Sequence, residues 1–202
     1  MGLSRHQILE TALKYIDAHG PEALSMHKLG AELGVKGMSL YNHVANKGDV
    51  LDGVVEVLWS QVETAAPAEG DACEALRSLA RAIRMGMLRH SNAAPLIISR
   101  QVMPKPALRI VQSHQHALAA DATTGVDAYA ILRTITSYAM GTALAQIGWG
   151  SGGIGCAPAV SDLLRPGTPD ELAAVDEVFC GQSDYDAQFE LGLDLMLRGL
   201  SA

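Results

Sequence analysis

LGVKGMSLYNHVANKGDV, residues 33–50, decides how the chain is read. Gly34 supplies a residue that tolerates positive φ, and Val35 an apolar side chain to pack behind the turn. Upstream, Ser25 suits the N-cap of a short helix that carries Leu29 and Leu33 inward and ends at Gly34 in the left-handed region. Downstream, the spacing predicts a second short helix over 36–43. It turns Leu40 and Val44 inward and leaves Lys36, Gly37, Met38, Ser39, Tyr41, Asn42 and His43 largely outward. Two helices of this length joined at a Gly-Val corner have the dimensions of a helix-turn-helix. The outward set mixes hydroxyl, amide and basic groups with small and apolar ones, which suits the phosphates, base edges and thymine methyls of a DNA groove. Spacing alone leaves a solvated helix–helix corner open as well.

The rest of the chain is compatible with either. Its 202 residues are 49% hydrophobic and 18% charged, a globular composition. Aromatics supply only 4%, so the core is built from Leu, Val, Ile, Ala and 8 Met, which favours helix-on-helix packing. No run reaches the roughly 18 uninterrupted apolar residues of a membrane span, and MGLSRHQILETALKYIDAHG lacks a signal peptide's apolar stretch. Cys73, Cys156 and Cys180 are far apart and odd in number, as expected of reduced thiols in a cytoplasmic protein. The net charge of −7 argues against nucleic acid until it is divided. Residues 1–48 hold five basic and four acidic residues and four of the seven histidines, so this segment is +1 and the remainder −8.

Helical spacing recurs throughout. Ile8, Leu9, Ala12, Leu13 and Ile16 predict a helix over 5–19, stopped by Gly20-Pro21. Asn46 with Asp49 predicts the start of a longer helix through Leu51, Val54, Val55, Leu58 and Trp59. Further helices are expected near 73–90, 94–101, 105–120, 126–148, 169–179 and 184–200, interrupted by the Gly- and Pro-rich stretch 148–169. There is no internal repeat and no alternating strand pattern. The expected class is all-α.

LSMHKLGAELGVKGMSLYNHVANKGDVLDGV resembles the DNA-binding signature of the tetracycline-repressor (TetR) family of bacterial transcription regulators. It follows that family's L-S/T-x-x-x-L-A-x-x-L-G-V segment, then L-Y-x-H-V-x-N-K, then L-L-D. The likeness covers residues 5 to about 58. It departs at Gly30, where Ala is commoner and Gly costs a helix about 1 kcal/mol, and at Gly37-Met38, where the operator is read. LRHSNAAPLI (88–97), SYAMGTALAQ (137–146) and DYDAQFELGLDLMLRGL (184–200) are similar to the tetracycline-repressor type of C-terminal domain. The resemblance implies a three-helix helix-turn-helix domain over 1–48 and a helical ligand-binding and dimerisation domain over 49–202. It implies a homodimer on a palindromic double-stranded operator, released by a small-molecule inducer. The DNA-facing residues would be Ser25, His27, Lys36, Gly37, Met38, Ser39, Tyr41, Asn42, His43 and Lys47, with Tyr41 and His43 on phosphates and Asn42 beside the base edges.

Tetracycline repressors hold a metal-chelated drug with two histidines. Aligned without gaps, those positions are Glu63 and Ile97 here, so neither that drug nor any metal or cofactor is expected. The expected pocket walls are Met85, Leu88, Ile97, Met103, His114, Tyr138 and Trp149, which suit a mainly apolar or aromatic ligand. Ile131, Ile135, Tyr138 and Leu144, with Phe189, Leu193 and Leu197, form apolar stripes expected to be exposed in a monomer and covered in the dimer. GSGGIG (150–155) fits the dinucleotide fingerprint only on paper, since a helix precedes it and Cys156-Ala157-Pro158 follows. His114 and His116 point to different faces of one helix. No nucleophile motif or paired carboxylates appear, so an enzyme is not expected. A helical small-molecule carrier without DNA binding is the alternative, favoured only by Gly37-Met38.

Overall fold

The computed structural model describes residues 2–120, 127–149, 165–167, 169 and 184–199, and among these there is helix and turn but no strand. The elements are α1 (Arg5–His19), α2 (Met26–Glu32), α3 (Gly37–Leu40), α4 (Lys47–Ala65), α5 (Ala72–Arg89), α6 (Ala94–Ser99), α7 (Lys105–Ala120), α8 (Ala128–Trp149) and α9 (Tyr185–Arg198). The helix expected over 169–179 and most of the stretch 148–169 lie outside the described residues. No described helix is long and apolar enough to cross a membrane.

Local chemistry sets most boundaries. The Ser4 hydroxyl accepts from Gln7 N while the Gln7 side chain accepts from Ser4 N, a reciprocal cap that opens α1. Ser25, Asn46, Asp71 and Asp184 cap α2, α4, α5 and α9 in the same sense. Gly34 adopts φ 67°. The helix expected over 36–43 is shorter than its spacing suggested. After Leu40 the chain tightens, with Tyr41 N donating to Met38 O and His43 N to Leu40 O, so residues 41–43 form a turn.

Two cores share α4. The first gathers Ile8, Leu13 and Ile16 of α1 with Leu29, Leu40 and Val44 around Val50, Val54 and Leu58 of α4, and reaches Ala93 and Leu96 at α6. The second runs from Val62 of α4 through Leu76, Leu79 and Ile83 of α5 to Ile110, Ile135 and Leu193 of α7, α8 and α9. Trp59 touches both. Gly53 admits a close approach, because the Leu9 side chain occupies the space a Cβ there would need.

One expectation is corrected here. Ile131, Ile135, Phe189, Leu193 and Leu197 are not exposed in the single chain but buried in the second core. Tyr138 and Leu144 are half-buried against it. The apolar stripes of α8 and α9 are covered by α5 and by each other. Tyr138 stacks on Phe189 at 5.4 Å, and its hydroxyl donates to Phe189 O at 3.0 Å and lies where a Cβ on Gly192 would stand. Around this contact Arg81 forks onto Glu190 (2.7 and 2.8 Å), holding that carboxyl below its ordinary range. Buried Arg84 reaches Gln146, Asp186 and the Phe189 ring face.

Leu193 therefore serves the fold of one chain. Leu193→Ala is expected to lower the unfolding free energy by about 2–5 kcal/mol, as a buried leucine truncation does. Urea denaturation followed by circular dichroism checks this, and a loss below about 1 kcal/mol would contradict the burial.

Candidate nucleic-acid interface and ligand cavity

The corner between α2 and α3 is built on two glycines. A Cβ on Gly30 would stand 2.8 Å from Gly37 N, 2.9 Å from Gly37 Cα and 2.9 Å from Val35 O, all backbone atoms. A Cβ on Gly37 would meet Met26 O at 3.1 Å. The two helices therefore cross backbone against backbone, and Val35 N closes the corner by donating to Gly30 O at 2.9 Å. Gly30 and Gly37, both part of the departures from the family signature, share this packing cause. With Leu40 and Val44 buried beneath, the opposite side faces solvent.

That outer edge carries exposed His27, Lys36, Met38, Tyr41, Asn42 and His43, with Ser25, Gly37, Ser39 and Lys47 half-buried beside them. Met38 is 76% and Tyr41 47% exposed, values far from those of core residues. Apart from Ser25, whose hydroxyl already accepts from Lys28 N, and backbone bonding, these side chains make no hydrogen bond or ion pair within the described residues. The first turn of α4, entered at Lys47, adds unpaired backbone N–H groups to the same edge.

Side chains that follow α4 in the chain grip it along its length. Arg100, following α6, donates through Nε to Asp52 at 2.6 Å and through Nη2 to Gly48 O at 3.4 Å. His90 lies with Nδ1 2.7 Å from Asp17 of α1 and Nε2 3.0 Å from Gln61 of α4, while Asn92 donates to Asp17 O. Arg109 of α7 forks onto Glu63 of α4 at 2.6 and 2.7 Å, and that hydrogen-bonded pairing draws the Glu63 carboxyl below its usual range. Glu63 is thus engaged by a cation.

The expected ligand-lining residues do not surround one cavity among the described residues. Met85 and Leu88 line a cleft of about 490 Å³ with Arg81, Arg84 and Glu190. Met85 and Met103 point to solvent. Ile97 packs between the two cores, and Tyr138 is held against α9. Trp149 ends α8, and its side chain is outside the described residues, as is GSGGIG. His114 is 1% exposed, with Nδ1 2.9 Å from Ile110 O and Nε2 buried without a hydrogen-bond partner. Burial pushes its pKa down, opposed by the backbone at Ile110 and Ala75. Among the described residues no group of three His, Cys, Asp or Glu could hold a metal.

The pattern described as "Bacterial regulatory proteins, tetR family" matches residues 8–54, and "Tetracyclin repressor-like, C-terminal domain" matches residues 64–202. The chain belongs to the TetR family. It is similar to a Saccharopolyspora erythraea HTH-type transcriptional regulator, 26% identical over 201 residues, covering 99% of this chain and 85% of the relative. A possible TetR family transcriptional regulator from Streptomyces coelicolor A3(2) has a similar structure, with TM-score 0.80, 28% identity and 98% coverage of both chains. So does the Streptomyces coelicolor TetR family protein ActR in complex with actinorhodin, with TM-score 0.77, 26% identity and coverage of 99% of this chain and 97% of that one.

For a TetR-family regulator the α4 clamps are the features sequence reading missed. Arg100 and Asp52 are 48 residues apart, and nothing local marks either as a partner. The Gly30–Gly37 crossing did carry a signal, two glycines on opposite sides of a turn. Helix propensity alone says Gly30→Ala should stabilise α2 by about 1 kcal/mol. The crossing predicts the reverse, because the new methyl meets backbone that cannot swing aside. Gly30→Ala is expected to lower the melting temperature, read by circular dichroism; a raised melting temperature would remove the crossing as a constraint.

Proposed function

We propose that the chain is a ligand-responsive transcriptional repressor that binds a palindromic operator as a homodimer. The observation carrying this reading is the outward edge of the helix-turn-helix, whose polar side chains, Ser25 apart, have no side-chain partner among the described residues. In this reading residues 1–48 form the DNA-binding domain and 49–202 the regulatory domain. Two copies of α3 enter successive major grooves about one DNA turn apart. Tyr41, His43, Ser39, Lys47 and the first turn of α4 hold phosphates, while His27, Asn42 and Met38 lie at the base edges. The Gly30–Gly37 crossing gives Gly37 a packing role, which lessens the support Gly37 lent to a carrier without DNA binding.

The release signal is a small, mainly apolar or aromatic molecule bound beside buried His114, whose Nε2, without a hydrogen-bond partner among the described residues, offers it one polar contact. The complex of the similar protein ActR with actinorhodin supports a small-molecule ligand. Such a ligand acts only through its differential affinity for two arrangements of α4. Arg100, joined to Asp52 and to Gly48 O at the DNA-facing end of α4, is the link we assign to that movement.

Selection of bound sequences from random DNA tests the whole reading: a palindrome is expected, and no enrichment would overturn it. Tyr41→Phe tests the phosphate role. It should leave helix content and melting temperature nearly unchanged and weaken binding by about 1.5–3 kcal/mol, the loss of a charge-assisted hydrogen bond. The loss should be equal for operator and unrelated DNA, because a phosphate contact carries no base information. A loss confined to the operator would reassign Tyr41 to base reading.

The partner copy, in this reading, covers what the single chain leaves exposed on α8 and α9. Leu191 and Leu195 are 59% and 62% exposed, and Ser137, Gly141 and Ala145 present a small-residue face on α8 beside the Tyr138–Gly192 contact. Two helices from each copy would form a four-helix bundle. The double variant Leu191→Glu/Leu195→Glu should sediment as a folded monomer, since neither residue serves the core. An unchanged dimer would put the interface on another face.

A further inference from the structure

A cavity of about 790 Å³ lies outside both cores, on the face of α4 turned away from the second core's interior, where α1, α4, the end of α5 and the start of α7 meet. Its volume falls in the range of small-molecule sites. Buried Leu9, Val57 and Pro106 contribute apolar surface, and Ser60, Gln61 and Thr64 of α4 add polar groups.

The charges around it are unusual for this protein. Four cations line the cavity, Arg5, Arg89, Lys105 and Arg109, against two carboxylates, Glu10 and Glu56, in a chain of net charge −7. Two of the cations are engaged: Arg5 by Asp49 (3.3 Å) and Glu56 (3.1 Å), and Arg109 by Glu63. Arg89 and Lys105 have no ion pair within the described residues, although they come from different helices and border one cavity. His6 and His90 complete the rim. Cations gathered from separate elements over an apolar surface match an organic anion with an apolar body. A purely apolar ligand would leave those charges unanswered, and a bare inorganic ion would leave the apolar surface wet.

We propose that this cavity is a second ligand site, distinct from the region of His114, that takes an amphipathic organic anion, its carboxylate, sulfonate or phosphate lying between Arg89 and Lys105. The site spans both halves of the molecule, since Arg5 and Leu9 belong to the first core's helix and Arg89, Lys105 and Arg109 to the regulatory half. Its occupant would tie α1 to α5 and α7 across α4, beside the His90–Asp17 contact that already joins them. The inference stands apart from the DNA-binding reading.

The test uses the full-length protein without DNA, so its failure and that of the repressor reading are separable. The probe is 8-anilinonaphthalene-1-sulfonate, an aromatic anion that fluoresces on leaving water, with neutral N-phenyl-1-naphthylamine as control. Titrations at physiological ionic strength compare wild type, Arg89→Gln/Lys105→Gln, and the charge-keeping Arg89→Lys/Lys105→Arg. Both side chains are exposed and unpaired, so the fold is expected to survive, as circular dichroism would verify. One sulfonate site per chain should weaken about tenfold or more in the Gln pair, as expected for lost charge-assisted contacts. It should persist in the charge-keeping pair, and binding of the neutral probe should not change. Equal sulfonate affinity in wild type and the Gln pair, equal weakening of both probes, or no sulfonate binding by wild type would each overturn the proposal.

Discussion

The structure depends on α4 being buried by different partners at its two ends. Val50, Val54 and Leu58 close the core built by α1, α2 and α3, while Val62 closes the core built by α5, α7, α8 and α9. At about 25 cal/mol per Å² of apolar surface buried, each of these side chains contributes on the order of 1.5–3 kcal/mol. The ion pairs that also hold α4, at Arg5 and Arg100, have side chains about a third or more exposed, and pairs of that kind contribute about 0–1 kcal/mol each. Apolar packing therefore keeps α4 in place. The charged contacts at its surface are weak and directional and can be exchanged at small cost.

That division of labour suits a TetR-family regulator. A helix common to two cores cannot be repositioned in one without strain reaching the other, because close-packed interiors shift between discrete arrangements and do not stretch. Gly53 tightens this coupling by letting Leu9 sit directly on the α4 backbone. Arg100 and the His90–Asp17–Gln61 contact lie at the edges of the same seam, where groups that follow α4 in the chain reach α1 and both the opening turns (Asp52) and the last turns (Gln61) of α4.

The sequence was most legible where structure is decided within a few residues. Ser25, Gly34 and Asn46 act through their own backbone or one three residues away, so α2, the turn and the start of α4 could be read directly. It was less legible where a residue's role depends on what lies opposite. The spacing of Ile131, Ile135, Leu193 and Leu197 correctly marks an apolar face but does not say that it is covered within one chain, so buried residues were read as exposed in a monomer. The expected pocket residues likewise shared apolar or adaptable character without sharing a location. Gly30 read as a mild helix defect because its reason, Gly37, stands across the corner.

The fit of Tyr138 over Gly192 acts as an index mark between α8 and α9. A slip of α9 by one turn, about 5.4 Å, would bring Gln188 or Met196 to the place Gly192 holds, and neither side chain leaves room for the Tyr138 ring. The ring and the missing side chain thus admit one axial setting, and the Tyr138 hydroxyl bonded to Phe189 O locks it. Leu191 and Leu195 flank Gly192 on the same helix, so their height along α8 is set from inside the chain.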